Sequence, residues 1–260
     1  MKSETIIIII TGIMITFFLS CTKTITPSLN NESQLVIVGT VSDTTGPYHV
    51  YISKTANFYS GNIYPTVSGA TVHITDITAG VNDILTESAA GDYVTHTLTG
   101  VPGHTYQMQV YLNGQTYTAI STMPQPVRLD SVTVDYSQNN DLRPVVNYQD
   151  PEIKNYYKYD SWCNGIQVKH FETFDDRLSN GRYLHRALDA DTGKFHRGDL
   201  VRVDLVGIDY GAFSFLSEAE SVAFNNGSLA APATPVSNIS GGCVGYFSVQ
   251  TVSTRQSIIK

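Results

Sequence analysis

The chain has 260 residues and a formal net charge of −7, from 16 Lys and Arg against 23 Asp and Glu. Such an acidic and evenly spread charge argues against nucleic-acid binding, which depends on concentrated Lys and Arg that displace counterions from phosphates. A content of 16 Tyr, 20 Gly and 10 Pro, with few long helical patterns, favours an all-β chain of many short strands.

The N-terminus has the composition of a secretory signal peptide. Lys2 precedes an apolar run from Ile6 to Leu19, which is too short for a permanent membrane span, and a small residue then stands before Cys21. This arrangement looks like a bacterial lipoprotein signal, in which the Cys is acylated and becomes the mature N-terminus. We therefore expect residues 1–20 to be removed, Cys21 to carry fatty acyl chains such as palmitate, and residues 21–33 to form a flexible tether. The alternatives are plain secretion with a chance Cys and a short buried helix.

The first half of the mature chain predicts a β-sandwich over residues 34–123. Residues 35–41 are apolar on both faces and predict a central strand. Residues 106–120 alternate regularly around Asn113-Gly114, a pair that suits the positive φ angles of a type I′ hairpin turn. About seven such strands separated by turn signals are typical of a sandwich.

The second half, residues 128–260, predicts another sandwich beyond a stiff Pro-rich connector. A second Asn-Gly turn stands at 164–165 between two strand-like segments. The fold class is therefore predicted to be all-β, with two tandem Ig-like β-sandwich domains.

One helix interrupts this pattern, near residues 211–224. Phe215, Leu216, Ala219, Val222 and Ala223 fall on one helical face, while two Glu, 218 and 220, face away. We expect this helix to pack on the edge of the second sheet.

Several patches of the sequence together resemble a family of Bacteroidetes outer-membrane lipoproteins that share a domain of unknown function. The patches are residues 35–39, 67–72, 91–93, 103–106, 114–119 and 235–247. The N-terminal part alone is similar to the carboxypeptidase-regulatory or transthyretin-like sandwich. Since such lipoproteins are commonly encoded beside TonB-dependent receptors, the resemblance implies an accessory role at such a receptor in the outer membrane, on either face. The resemblance implies no catalytic residues.

Two cysteines, Cys163 and Cys243, remain once Cys21 is assigned to the lipid. In an exported protein an even pair forms a disulfide or stays as two buried thiols, and the residues alone leave both open. Cys243 lies within the segment that matches the family, at a position where a small or apolar residue is expected. The resemblance thus mildly favours a Cys163–Cys243 bridge.

The seven His form no ligand spacing that fixes a metal geometry. The start of a calcium loop at Asp189 lacks the Glu required at position 12, where Leu200 stands. We therefore expect no metal and no cofactor. Asp175-Asp176 could supply a carboxylate pair for hydrolysis, but a charged loop explains them equally simply.

Exposed aromatic residues give the predicted contact surface. Phe58, Tyr59 and Tyr64 lie in a polar loop without periodicity, and Trp162 lies in a Tyr-rich strand where core packing competes with surface stacking. The leading hypothesis is a non-enzymatic, lipid-anchored outer-membrane protein that binds a TonB-dependent receptor or its ligand. A structural or adhesive spacer is the alternative, and a hydrolase acting through Asp175 and Asp176 is a further one.

Overall fold

The computed structural model describes residues 33–56, 64–136, 142–168, 171–189, 195–224 and 234–260. The predicted signal peptide, Cys21, the tether up to residue 32, Phe58 and Tyr59 lie outside these ranges. The strands are β1 (Leu35–Ser42), β2 (His49–Lys54), β3 (Thr71–Asp76), β4 (Val81–Ile84), β5 (Thr86–Ala89), β6 (Asp92–Val94), β7 (Thr105–Leu112), β8 (Gln115–Thr122), β9 (Ser131–Asp135), β10 (Arg143–Gln149), β11 (Tyr156–Cys163), β12 (Ile166–Gln167), β13 (Glu172–Asp175), β14 (Tyr183–Ala187), β15 (Leu200–Ile208) and β16 (Val244–Ile258). The helix within the described ranges is α1 (Tyr210–Phe224). The predicted all-β class, with one helix, is confirmed.

One long sheet runs through the molecule in the order β12-β11-β15-β16-β1-β2-β6-β5, with β13 also paired to β11. Its central strand β16 has two different neighbours along its length. Val244 to Gln250 pair in parallel with β1, and Thr251 to Ile258 pair antiparallel with β15. The last strand of the chain therefore joins the N-terminal part of the sheet to the C-terminal part.

The first lobe forms where the sheet β4-β3-β7-β8 packs on the β1-β2-β6 part of the long sheet. Its core includes Ile37, Val50, Val72, Met108 and Val110, all of them fully buried. The predicted hairpin between β7 and β8 is confirmed, with φ angles of 49° at Asn113 and 76° at Gly114.

The second lobe forms where the sheet β14-β10-β9 packs on β11, β15 and the end of β16. Val146, Tyr148, Val201 and Val203 are fully buried in its core. The second Asn-Gly turn is also confirmed, at Asn164 and Gly165, with φ angles of 50° and 81°.

The boundary predicted between residues 123 and 128 does not separate two independent domains. Ser33–Lys260 form one compact unit. The first core contains four buried residues from the end of the chain: Ile239, Cys243, Phe247 and Val249. The sequence pattern could not show that β16 returns to the first lobe.

The structure does not contain the Cys163–Cys243 disulfide that the sequence left as one of two possibilities. Cys243 is buried in the core of the first lobe, and Cys163 packs against the core of the second. The Cys163 thiol instead donates to Asp199 Oδ2 at 3.5 Å. Cys163 pairs with Val201, and Val201 with Ser257 near the end of β16, whereas Cys243 directly precedes the first residue of that strand. The two cysteines are therefore about 40 Å apart along β16, too far for a disulfide.

Helix α1 covers a face of the long sheet, not its edge as predicted. Leu216 is buried and Phe215 contacts the ring of Tyr246 on β16, as the helical pattern indicated. Val222 is exposed, and Glu220 faces the protein, accepting hydrogen bonds from the backbone N–H of Thr173 at 2.9 Å and from its hydroxyl at 2.6 Å. Residues 221–223 of the last turn are exposed, so Val222 does not take part in the packing that the helical pattern indicated.

Candidate functional site

The predicted contact residues do not come together. Tyr64 is 59% exposed in the first lobe, close to the pairing of β1 with the start of β16. Trp162 pairs across the sheet with Arg202, and Arg202 with Gln256 near the end of β16. From Val244 to Gln256, strand β16 spans about 40 Å, so Tyr64 and Trp162 cannot belong to one small binding site.

Trp162 belongs to a surface that we call the Trp162 face. It consists of the outward residues of β11, β15 and β16 that helix α1 leaves uncovered. In an antiparallel sheet, residues directly opposite each other point to the same side. The rows of this face are Trp162–Arg202–Gln256, Asp160–Asp204–Thr254 and Leu200–Ile258, with Lys158 next along β11.

Arg202 is held in one position by two contacts. Its guanidinium carbon lies 3.7 Å from the centre of the Trp162 ring, within cation–π range. Its Nη2 lies 3.0 Å from Asp204 Oδ2, while Asp204 Oδ1 accepts a hydrogen bond of 2.7 Å from the Thr254 hydroxyl. The indole and guanidinium planes are thus arranged before any partner arrives.

Two carboxylates, Asp160 and Asp204, stand directly opposite each other on this face. Like charges at opposed positions of a sheet repel, and both side chains are largely buried. Each carboxylate has its own cation: Lys158 Nζ lies 2.6 Å from Asp160, and Arg202 neutralises Asp204. The face is therefore charged but locally balanced.

The covered part of the same sheet side is apolar. Val206, Ile208 and Val252 follow the charged rows and pack under Ala212 and Leu216 of the helix. At the border, burial raises the pKa of the Tyr246 hydroxyl, and the charges of Lys158 and Asp160 act on it in opposite directions. Helix α1 thus sets one limit of the Trp162 face.

The opposite limit is apolar and open to solvent. Leu200 and Ile258 are directly opposite each other, 39% and 61% exposed. Exposed aliphatic side chains beside an ordered Trp–Arg pair are a combination common at protein–protein contacts.

The other aromatic residues near Trp162 are used for packing. Tyr157 and Tyr159 are buried in the second core, and the Tyr159 and Tyr148 hydroxyls lie 2.7 Å apart. Tyr156 stacks on Phe213 of the helix, with ring centres 4.8 Å apart. Core packing therefore explains most of the Tyr-rich strand, and Trp162 alone of these residues contributes to the exposed face.

Asp175 and Asp176 do not form an accessible carboxylate pair. Asp175 Oδ2 lies 3.5 Å from Arg177, whereas Asp176 is completely buried and accepts a 2.7 Å hydrogen bond from the backbone N–H of Asn155. Burial, with a smaller contribution from the nearby charge of Asp150, raises the pKa of Asp176 to about 6. The geometry does not provide the general acid and base that the hydrolase hypothesis requires.

Asp150 lies in the same buried region. It accepts a 2.6 Å hydrogen bond from the Tyr157 hydroxyl, and its second oxygen has no hydrogen-bond partner among the described residues. Burial raises the pKa of Asp150 despite the hydrogen bond from Tyr157. We interpret this region as a polar part of the core.

Within the described residues, no group of three or more His, Cys, Asp or Glu is arranged to hold a metal ion. In the same part of the chain, none of the helical structure has the length and apolar character of a membrane span.

The sequence patterns missed Arg202, Asp204 and Asp160. Alternation along β15 indicates that Leu200, Arg202 and Asp204 share one face, and this signal was present in the sequence. What alternation cannot indicate is that β15 lies beside β11, because their pairing joins residues about 40 positions apart in the chain. Trp162 therefore appeared isolated.

These features define an all-β protein with two sandwich lobes on one shared sheet. A family model described as a domain of unknown function, DUF4249, matches residues 22–256. The chain therefore belongs to this family. A comparison with curated proteins gives no match.

Proposed function

We propose that this chain is a non-enzymatic, lipid-anchored accessory protein of the outer membrane, and that it binds a TonB-dependent receptor through the Trp162 face. The observation that carries the proposal is the Trp162–Arg202 stack, fixed by Asp204 and bordered by exposed Leu200 and Ile258. Trp and Arg dominate the energetics of protein interfaces, and a pair that is already ordered loses little entropy on binding.

The anchoring part of the proposal rests on the sequence. Strand β1 begins at Leu35, 14 positions after Cys21, so a short polar tether separates the expected lipid from the folded unit. Two or three acyl chains give stable membrane attachment without a basic surface. The folded unit then searches for a receptor in the same membrane only within the reach of this tether. This confinement raises the effective concentration of the receptor around the folded unit.

The test is a pull-down of the tagged full chain from detergent-solubilised outer membranes, with partners identified by mass spectrometry. We expect one TonB-dependent receptor in near-equal amount, and at least about tenfold less receptor with Trp162→Ala or Arg202→Ala, since about 1.4 kcal/mol of binding energy changes affinity tenfold. The matched control is Tyr111→Ala, an exposed aromatic residue of the first lobe, which should retain the receptor.

Two outcomes would count against the proposal. Recovery of the chain alone would favour the structural or adhesive spacer. Recovery of the receptor in unchanged amount with both Trp162→Ala and Arg202→Ala would mean that another surface makes the contact. The anchor is tested separately: Cys21→Ser should release the chain from the membrane fraction, and a chain that stays there would contradict lipidation.

A further inference from the structure

The sheet β4-β3-β7-β8 of the first lobe has an outer side that carries no ionised carboxylate, ammonium or guanidinium group among its outward residues, all of which lie in the described ranges. We call it the neutral face. Its inner side is fixed by the buried core residues Val72, Met108 and Val110, so the backbone under it is firmly supported. Cross-strand pairing arranges the outward side chains in rows.

The central row contains Ile84, His73, Gln109 and Thr118 from the four strands in order. The row on one side contains Asn82, Thr75, Gln107 and Ile120, and that on the other contains Thr71, Tyr111 and Thr116. Charged residues are mostly exposed in folded proteins, so the outward positions of a solvated sheet commonly include Lys or Glu. Here amides and hydroxyls occupy those positions.

Aromatic and aliphatic groups are set among these amides. Tyr111 is 41% exposed, and its ring meets that of His73 edge-on, with centres 5.8 Å apart and planes at 87°. Ile84 and Ile120, at opposite borders, are each 55% exposed. The face thus combines ring surfaces that favour C–H contacts with side chains that both donate and accept hydrogen bonds.

The outward residues of this face carry no carboxylate, ammonium or guanidinium group, and this limits the kinds of ligand that the face can bind. A nucleic acid, a phosphorylated ligand or an anionic lipid surface would require clustered Lys or Arg. Protein interfaces are anchored chiefly by Trp, Tyr and Arg, and of these three the outward residues of this face include only Tyr111. Sugar hydroxyls both donate and accept, as Gln and Asn amides and Thr hydroxyls do, and the C–H side of a sugar ring stacks on an aromatic ring.

The shape of the face agrees with an extended ligand. Along β7, from Thr105 to Tyr111, it is about 20 Å long, and the four strands make it about 14 Å wide. The rows run side by side across four neighbouring strands, so an extended chain can lie across them. We propose that the neutral face binds an uncharged polysaccharide chain. This site is separate from the Trp162 face, and neither the site nor its test requires a receptor.

Affinity electrophoresis of the detergent-solubilised full chain tests the proposal. The gels contain soluble neutral polysaccharides (a glucan, a mannan, a xylan and a galactan) or, as charged comparisons, polygalacturonate and heparin. We expect at least one neutral polymer to retard the protein and neither charged polymer to do so. Tyr111→Ala and Gln109→Lys should each weaken the retardation by at least about tenfold, which corresponds to about 1.4 kcal/mol.

The controls separate binding from folding. Gln115→Lys makes the same chemical change on β8, at the hairpin end outside the rows described above, and should leave retardation unchanged. Trp162→Ala should also leave it unchanged, which distinguishes this site from the proposed receptor contact. All variants should melt within a few degrees of the wild type, because the changed side chains are at the surface.

Three results would overturn the proposal: no retardation by any neutral polymer, equal retardation by charged polymers, or unchanged retardation with both Tyr111→Ala and Gln109→Lys. None of these results bears on receptor recovery. The two proposals can therefore fail independently.

Discussion

The outer faces of the two lobes are built in the same way, from alternate residues of neighbouring strands, but they carry different chemistry. On the Trp162 face, Asp160 and Asp204 are buried against Lys158 and Arg202, and a helix covers the adjoining rows. On the neutral face, amides and hydroxyls fill the rows, and the structure describes no helix that covers them. The same sheet architecture therefore presents an ordered, charged surface in one lobe and a surface rich in amides and hydroxyls in the other.

Three buried carboxyl groups, Asp83 in the first lobe and Asp150 and Asp176 in the second, have pKa values that shift in opposite directions. Burial alone would raise the pKa of Asp83 in the first lobe, but three backbone N–H groups, those of His96, Thr97 and Leu98, donate to one oxygen at 2.8–2.9 Å and hold its pKa below the usual range. In the second lobe, burial outweighs the hydrogen bonds at Asp150 and Asp176 and raises both pKa values. Folding thus lowers the pKa of Asp83 in the first lobe and raises those of Asp150 and Asp176 in the second.

The largest loss of stability is expected from a change at Gly245, in the strand β16 that joins the two lobes. Gly245 lies opposite Ile37 at the start of the parallel pairing, with φ at 126°, and a Cβ there would be 1.9 Å from the Ile37 carbonyl oxygen. We expect Gly245→Ala to lower the free energy of unfolding by more than about 4 kcal/mol, since backbone must move to relieve the clash. Thermal and urea unfolding measure this directly.

Gly242→Ala is the matched control for this join. Gly242 also has a positive φ, 84°, but a Cβ there meets nothing within 4 Å. Its expected effect is about 1–2 kcal/mol, from backbone conformation alone. Equal effects of the two changes would mean that the β1–β16 contact is not critical and that the lobes are less dependent on each other than the shared strand implies.

The second prediction concerns Asp83, the buried carboxylate of the first lobe. Asp83→Ala would leave three backbone N–H groups without their acceptor, and we expect a loss of about 3 kcal/mol in the free energy of unfolding. Asp83→Asn keeps one acceptor oxygen and should lose less. If the Ala and Asn variants were equally stable at pH 7, the ionised carboxylate would not be the group that organises residues 96–98.

How far the sequence predicts this molecule depends on how local each feature is. Both Asn-Gly turns and the helix were predictable, because a positive φ angle and a 3.6-residue period are both determined by residues that are close together in the sequence. The return of β16 to β1 was not, since Val36 and Val244 are about 200 positions apart and no local pattern records their pairing. The site divides in the same way: Trp162 stood out by composition, whereas its partner Arg202 required knowledge of strand order.

The third prediction concerns Asp176, a buried carboxyl group of the second lobe, and the dependence of stability on pH. A carboxyl whose pKa is raised on folding binds its proton more tightly in the native state, so it contributes more stability as the pH falls between about 6 and about 4. Asp176→Asn removes this contribution while keeping an acceptor for the Asn155 N–H. The melting temperature of the variant, relative to that of the wild type, should therefore be higher at pH 8 than at pH 4.

Asp83 provides the opposite case in the same measurement. Because folding lowers the pKa of Asp83, its ionised carboxylate stabilises the folded state at pH values above the usual carboxyl pKa. This stability is lost as the pH falls through the pKa of Asp83 in the folded protein. Asp83→Asn, relative to the wild type, should thus be most destabilising at neutral pH and least so in acid. If both variants shifted with pH in the same direction, the contrast between the two lobes would be wrong.

The smallest expected effect concerns the stack that defines the Trp162 face. A double-mutant cycle with Trp162→Leu and Arg202→Met, followed by urea unfolding, isolates the coupling between the two side chains from the contact of Arg202 with Asp204. At 3.7 Å and partial exposure we expect a coupling of about 0.5–1 kcal/mol. The comparison cycle, His73→Ala with Tyr111→Ala on the neutral face, should give less, because both rings are in contact with solvent and neither needs to carry a charge. A coupling near zero for Trp162 and Arg202 would mean that the pair is not ordered before binding. The receptor contact would then lose its main physical support, while the uncharged character of the other face would remain.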